Sequence, residues 1–181
     1  LKLVALEPSG EERTVGAAFA SDFVGAPLSD KSPFEVVALV DSDVCIYPRA
    51  AFLAALDDDR DLERELLRRT MADLDRARTD GHRPDEPADV RIARLLIDTV
   101  TRARQTAVSA DTLIDLPLSR QDIADLTGLR IETVSRAFGK LENEGLIARE
   151  GRRGLRIVDA DGLAGRAGVR TDGLAMADRL A

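Results

Sequence analysis

The chain has 181 residues, enough for one large domain or two small ones, and its formal net charge of −7 excludes a sequence-indifferent nucleic-acid coat, which needs surplus cations. No apolar run is long enough to cross a membrane and no signal peptide opens the chain, so a cytoplasmic protein is expected. The lone cysteine, Cys45, rules out a disulfide framework within the chain and suits a reducing compartment. In the first 56 residues, short apolar stretches alternate with turn signals. Residues 1–6, 13–19, 34–39 and 44–47 read as strands, separated by Pro8-Ser9-Gly10, Ser21-Asp22, Gly25-Ala26-Pro27 and Ser29-Asp30-Lys31-Ser32-Pro33. The opening Leu1-Lys2-Leu3-Val4 lacks an initiator methionine and starts as a strand, which predicts a piece of a longer protein.

Residues 59–79 predict a helix, with Leu62, Leu66, Leu67, Met71 and Leu74 on one side and charges elsewhere. Leu67, Met71 and Leu74 keep the four-then-three spacing of a helix-pairing seam, although an amphipathic helix packed on a sheet would look the same over so short a stretch. Next comes Asp80-Gly81-His82-Arg83-Pro84-Asp85-Glu86-Pro87. Glycine and two prolines break a helix interior, because proline removes a hydrogen bond and clashes with the preceding turn. The helix should stop near Asp80 and a second one start at Ala88, its stripe formed by Ile92, Leu95, Leu96, Thr99, Val100 and Ala103. The break reads as a linker, or as a hinge between the parts it joins.

Residues 118–158 are the most informative stretch. Ser119 can cap a short helix whose apolar positions are Ile123, Ala124 and Leu126. Gly128 stands where the backbone must turn sharply, and glycine can take positive φ without a Cβ clash. A second helix should run from about Arg130 to Asn143, with Ile131, Val134, Phe138 and Leu141 as its buried stripe. Glu132, Ser135 and Arg136 lie beside that stripe on a polar face. Arginine can donate twice to guanine, glutamate can accept from cytosine, and serine can bond either way. Residues 147–149 and 155–157 alternate as two short strands around Glu150-Gly151-Arg152-Arg153-Gly154, a turn that can press Arg152 and Arg153 against phosphates. Arg120, Arg130, Thr133 and Lys140 complete the expected phosphate footprint. The whole pattern is that of a winged helix-turn-helix reading double-stranded DNA. Polar residues on any solvated helix would look similar in isolation, but turn, stripe and wing fall in register around these. After Asp159, Gly162, Gly165, Gly168 and Gly173 predict a loose helix and then disorder.

Glu132-Thr133-Val134-Ser135-Arg136, after Gly128-Leu129 and before Leu141-Glu142-Asn143-Glu144-Gly145-Leu146-Ile147, resembles the Crp/Fnr superfamily of bacterial transcription regulators. In the Fnr/FixK branch, glutamate followed three residues later by Ser-Arg reads TTGAT half-sites in an inverted repeat. The cyclic-AMP receptor branch has arginine immediately before the glutamate, where this chain has Ile131. The resemblance implies that Glu132, Ser135 and Arg136 read the half-site. It also implies an α+β fold in five parts. These are part of a jelly-roll β-roll sensor (1–58), a dimerisation helix (59–80), a hinge and connecting helix (81–111), the winged helix-turn-helix (112–160) and a C-terminal tail (161–181). Ser21-Asp22-Phe23-Val24-Gly25 and Ile46-Tyr47-Pro48 stand where the sensor has its GDxxG loop and a strand ending in xxP. The first sensor strands would then be missing, leaving open sheet edges. The implied partners are an inverted-repeat operator, a second copy paired through Leu67, Met71 and Leu74, and RNA polymerase. The implied role is an activator in low-oxygen or nitrogen-oxide metabolism.

Two effectors can be weighed. Residues 22–36 hold no arginine and only Lys31 as a cation, so the phosphate of a cyclic nucleotide would lack a fixed partner and none is expected. Cys45 occupies the place of one cluster-ligating cysteine of the Fnr branch. An iron–sulfur cluster takes about four thiolates, so this chain holds none by itself, and by resemblance the complete protein could. A small buried strand residue is the plainer reading of Cys45. An enzyme is not expected: His82, the single histidine, sits in the helix-breaking segment, and no glycine-rich phosphate loop, metal-ligand cluster or nucleophile elbow occurs. Asp57-Asp58-Asp59 reads as helix-start acids. A winged helix used only for protein contacts is the remaining rival, and it would not need Arg136 or the wing arginines.

Overall fold

The computed structural model describes residues 1–29, 31–80, 85–104, 112–151 and 153–169. The N-terminal part holds one antiparallel sheet of β1 (Lys2–Leu6), β2 (Glu12–Ala17) and β3 (Glu35–Val37), in the order β2-β1-β3. Its buried residues are Val4, Thr14 and Ala18, so little of its apolar surface is enclosed. The fourth expected strand, 44–47, has no strand geometry, and Ile46 is 85% exposed. High β-propensity makes a strand only where a neighbouring edge supplies the ladder. The chain instead forms α1 (Arg49–Asp58) straight after Pro48, a helix hidden from sequence reading because none of its residues is buried. Asp59 then caps α2 (Arg60–Asp80), its carboxylate accepting from the backbone N–H of Asp61 at 2.9 Å and Leu62 at 3.1 Å. Along α2, Leu67 is 60%, Met71 47% and Leu74 41% exposed.

The C-terminal part is built from α3 (Ala88–Arg104), β4 (Thr112–Asp115), α4 (Arg120–Thr127), α5 (Ile131–Asn143), β5 (Ile147–Glu150), β6 (Gly154–Ile157) and α6 (Ala160–Ala167). β6 lies at the centre of its sheet, between β4 and β5. One core joins all these elements: Ile92, Leu96 and Val100 of α3 meet Ile123, Val134, Phe138, Leu141, Ile147, Ile157 and Leu163. The packed unit is therefore wider than residues 112–160, because α3 supplies one wall and α6 another. The glycine-bearing tail becomes helical over α6 because Leu163, Ala164 and Ala167 are buried and the Asp159 carboxylate caps the first turn at Gly162 N, 2.8 Å. Burial outweighs weak propensity there. The restart at Ala88 matches α3, whereas Gly81, His82, Arg83 and Pro84 of the break lie outside the described residues.

Candidate nucleic-acid interface

Ser119 and Asp122 form a reciprocal capping box at the start of α4: Asp122 N donates to Ser119 Oγ at 3.0 Å, and Ser119 N donates to Asp122 Oδ2 at 2.8 Å. Gly128 closes the helix in the left-handed region at φ 64°, and Leu129 N donates to Ala124 O at 3.0 Å. Arg130 is extended, so the chain leaves the turn and enters α5 in a new direction. Val134, Ala137, Phe138 and Leu141 form the buried arc of α5. Ile131, expected in that arc, is 40% exposed instead, because it stands one turn ahead at the helix's first position. The opposite side carries Glu132, Arg136, Gly139 and Asn143 at steps of four, three and four residues, with Ser135 alongside.

Glu132, Ser135 and Arg136 are all exposed, and Thr133 is half-buried. Ser135 Oγ donates to Ile131 O at 3.0 Å, which leaves its lone pairs turned outward as acceptors. Negative and positive side chains thus share one projecting face in the first two turns of α5, the arrangement needed to meet base edges in a groove.

The expected phosphate ligands divide. Arg130 and Arg153 are exposed, and Arg153 lines a shallow cleft with Ala38, Leu39, Val40 and Asp41. Arg152 lies outside the described residues. The Arg120 guanidinium lies 3.6 Å from the centroid of the Phe138 ring, sealing the core with its flat face. Burial, then the nearby Arg149 charge, push the Arg120 pKa down while Glu142 opposes them. Lys140 departs from expectation: its Nζ sits 2.7 Å from Asp89 Oδ2, committed to an ion pair inside the domain. Asp89 also pairs with Arg166, which reaches Glu144 Oε2 at 2.5 Å, so the network ties α3, α5 and α6 together. Burial raises the Asp89 pKa, but the Lys140 and Arg166 bonds outweigh it and the net direction is down. Arg149, on β5, was not foreseen as part of this surface. Its Nε is 2.7 Å from Glu142 Oε1.

Sequence reading also missed how the two parts meet. Lys2 Nζ of β1 and Thr14 Oγ1 of β2 both donate to Asp122 Oδ1 at 2.7 Å, and Thr14 N donates to Asp125 Oδ2 at 2.9 Å. The residue that caps the helix-turn-helix is therefore also the one that docks the N-terminal sheet. Its signal was Ser-x-x-Asp at 119–122, which announces the cap but not its partners. A second tie joins Arg102 of α3 to Asp22 Oδ2 at 2.6 Å, with the guanidinium 4.5 Å from the centroid of the Phe19 ring.

Cys45 is exposed in a segment without regular structure, which sets aside its reading as a buried strand residue. An iron–sulfur cluster needs about four thiolates. This chain supplies one, and among the described residues no group of three or more His, Cys, Asp or Glu could hold a metal ion. The residues present do not fit a cluster. Among the described residues, no helix is long and apolar enough to cross a membrane.

Residues 90–166 match the family model described as the Crp-like helix-turn-helix domain. A "probable transcriptional activator" of Rhizobium leguminosarum bv. viciae is 39% identical over 168 residues, covering 90% of this chain and 68% of that protein. The nitrogen fixation regulation protein FixK of Bradyrhizobium diazoefficiens is 37% identical over 152 residues, covering 82% of this chain and 62% of its own length. Among solved structures, FixK2 from Bradyrhizobium japonicum superposes with a TM-score of 0.76 at 26% identity, covering 91% of this chain and 81% of that one.

Proposed function

Because this chain belongs to the Crp/Fnr family of DNA-binding transcription regulators, in its Fnr/FixK-like branch and outside the enzymes, we propose that it reads a TTGAT-type inverted repeat as a homodimer. The observation that carries this reading is the projecting face of α5, where Glu132, Ser135 and Arg136 stand exposed over a fully packed helix-turn-helix. Arg136 donates to guanine, Glu132 accepts from cytosine, and Ser135, its own proton bonded to Ile131 O, accepts from a base amino group. Arg120, Arg130, Arg153 and the sequence-expected Arg152, together with Thr133, hold the flanking phosphates. Lys140 contributes only if DNA draws it away from Asp89.

A palindromic site requires a two-fold protein. The exposed row Leu67, Met71 and Leu74 on α2 supplies a face by which two copies pair. RNA polymerase as partner, a cytoplasmic location, activation, and genes of low-oxygen or nitrogen-oxide metabolism follow from the same family reading.

The test is fluorescence anisotropy with a TTGAT-N4-ATCAA duplex against one with its guanines replaced. Tight binding to the intact duplex alone supports the reading. Equal weak binding to both would remove the half-site assignment. Arg153→Ala should weaken both duplexes alike and lower the slope of log affinity on log salt by about 0.9, the release expected for one phosphate contact. An unchanged slope would take Arg153 off the phosphate surface.

A further inference from the structure

Gly139 is placed in the middle of α5, two turns beyond its start, on the same outward row as Glu132 and Arg136. Glycine is the poorest helix former after proline and costs a helix interior about 1 kcal/mol against alanine, a cost that calls for a reason where the glycine lies on a docking face. Two intramolecular reasons are usual, and neither applies. The backbone of Gly139 is ordinary right-handed helix, since among the described residues the glycines with positive φ are Gly10, Gly25, Gly128, Gly145, Gly151 and Gly168. A Cβ built at Gly139 would meet nothing within 4 Å, so no neighbouring element presses against it. Gly162 of α6 shows the contrast, for a Cβ there would run into Asp159 and Leu146.

Gly165 of α6 is equally open, so open space alone does not mark Gly139; its place on the row of Glu132 and Arg136 does. We propose that Gly139 is a clearance point for DNA: the sugar–phosphate wall of the major groove closes against bare helix backbone there, which lets α5 sink far enough for Glu132 and Arg136 to reach base edges. This rests on the reading of α5 as the DNA-facing helix. Glycine serves where backbone must approach a ligand closely, and a side chain on this row would hold the groove wall away. Gly139 is thus a positioning residue, acting through the depth at which its neighbours are held.

The test compares Gly139→Ala, Gly139→Gln, Gly165→Ala and Arg136→Ala in the full chain, by thermal unfolding and by anisotropy on the TTGAT-N4-ATCAA duplex. Gly165 of α6 is the matched control, a helical glycine with open space around it that lies away from the α5 face. Gly139→Ala should raise the unfolding temperature and yet weaken specific binding three- to tenfold. Gly139→Gln should weaken it further, and Gly165→Ala should leave binding unchanged. Stability and affinity moving in opposite directions is a result that a purely structural role would not produce. Gly139→Ala binding as tightly as the parent, or Gly165→Ala weakening it equally, overturns the inference. If Arg136→Ala alone loses binding, the DNA-reading face stands and the clearance role falls. If neither Arg136→Ala nor the Gly139 variants change binding, the reading of α5 fails and takes the inference with it.

Discussion

Asp122→Ala is expected to cost roughly 3–5 kcal/mol of folding stability, the range for removing one partner of a buried ion pair. Three losses combine at one side chain. The α4 N-terminus gives up half of its capping box, worth about 1 kcal/mol. The buried Thr14 hydroxyl loses its acceptor, a loss of about 1–3 kcal/mol. Lys2 keeps a charge without a counter-ion, softened because its side chain is 22% exposed against 7% for Asp122. Urea unfolding would measure the change, and a loss below about 1 kcal/mol would show that the tie is not structural. The pH dependence follows from the same contacts. Burial raises the Asp122 pKa, but bonds from Lys2, Ser119 and Thr14 more than reverse it, leaving the carboxyl well below the usual carboxylate range. A depressed folded pKa stabilises the native state above the unfolded value, about 3.9, and that stability fades as pH falls below it toward the folded value. Between pH 4 and 2, then, Asp122→Asn should lose stability less steeply than the parent, with the two curves parallel above pH 5. Parallel curves throughout would mean that the carboxylate is not held as its geometry indicates.

Arg136→Ala is expected to weaken specific DNA binding by roughly 1–3 kcal/mol, about five- to 150-fold, while leaving unfolding unchanged. Arg136 is exposed on α5 and outside the buried arc, so the fold does not depend on it. Its loss should also relax discrimination at one guanine, so that the parent's preference for the intact duplex shrinks. Arg136→Lys should not restore that preference, because an ammonium cannot match the two parallel acceptors of guanine as a planar guanidinium does. Equal weakening on both duplexes would place Arg136 among the phosphate contacts instead. A winged helix used only for protein contacts would show no change on either.

The sequence alone determined whatever depends on local spacing. Ser119 and Gly128 mark a start and a stop by backbone chemistry that needs no tertiary partner, and both stand where the capping box and the left-handed turn are found. Val134, Phe138 and Leu141 announce the buried face of α5 by helical period, and the alternation at 147–149 and 155–157 announces β5 and β6. Family membership was legible in Glu132 to Arg136, a run in which only Val134 is buried, so the fold alone does not account for the rest.

The tertiary structure decided what depends on a partner distant in sequence. Residues 44–47 had the composition of a strand but no edge to pair with, and α1 had no buried stripe to betray it. α6 and β4 were too short or too glycine-rich to stand on propensity, and exist because α3 and β6 cover them. Lys140 looked like a phosphate ligand until Asp89, far along the chain, appeared beside it. Ser119 announced a cap, but only the fold brings Lys2 and Thr14 onto its partner Asp122 across more than a hundred residues. Hydrogen bonds and ion pairs act over a few ångströms, and only the folded chain determines which residues come that close.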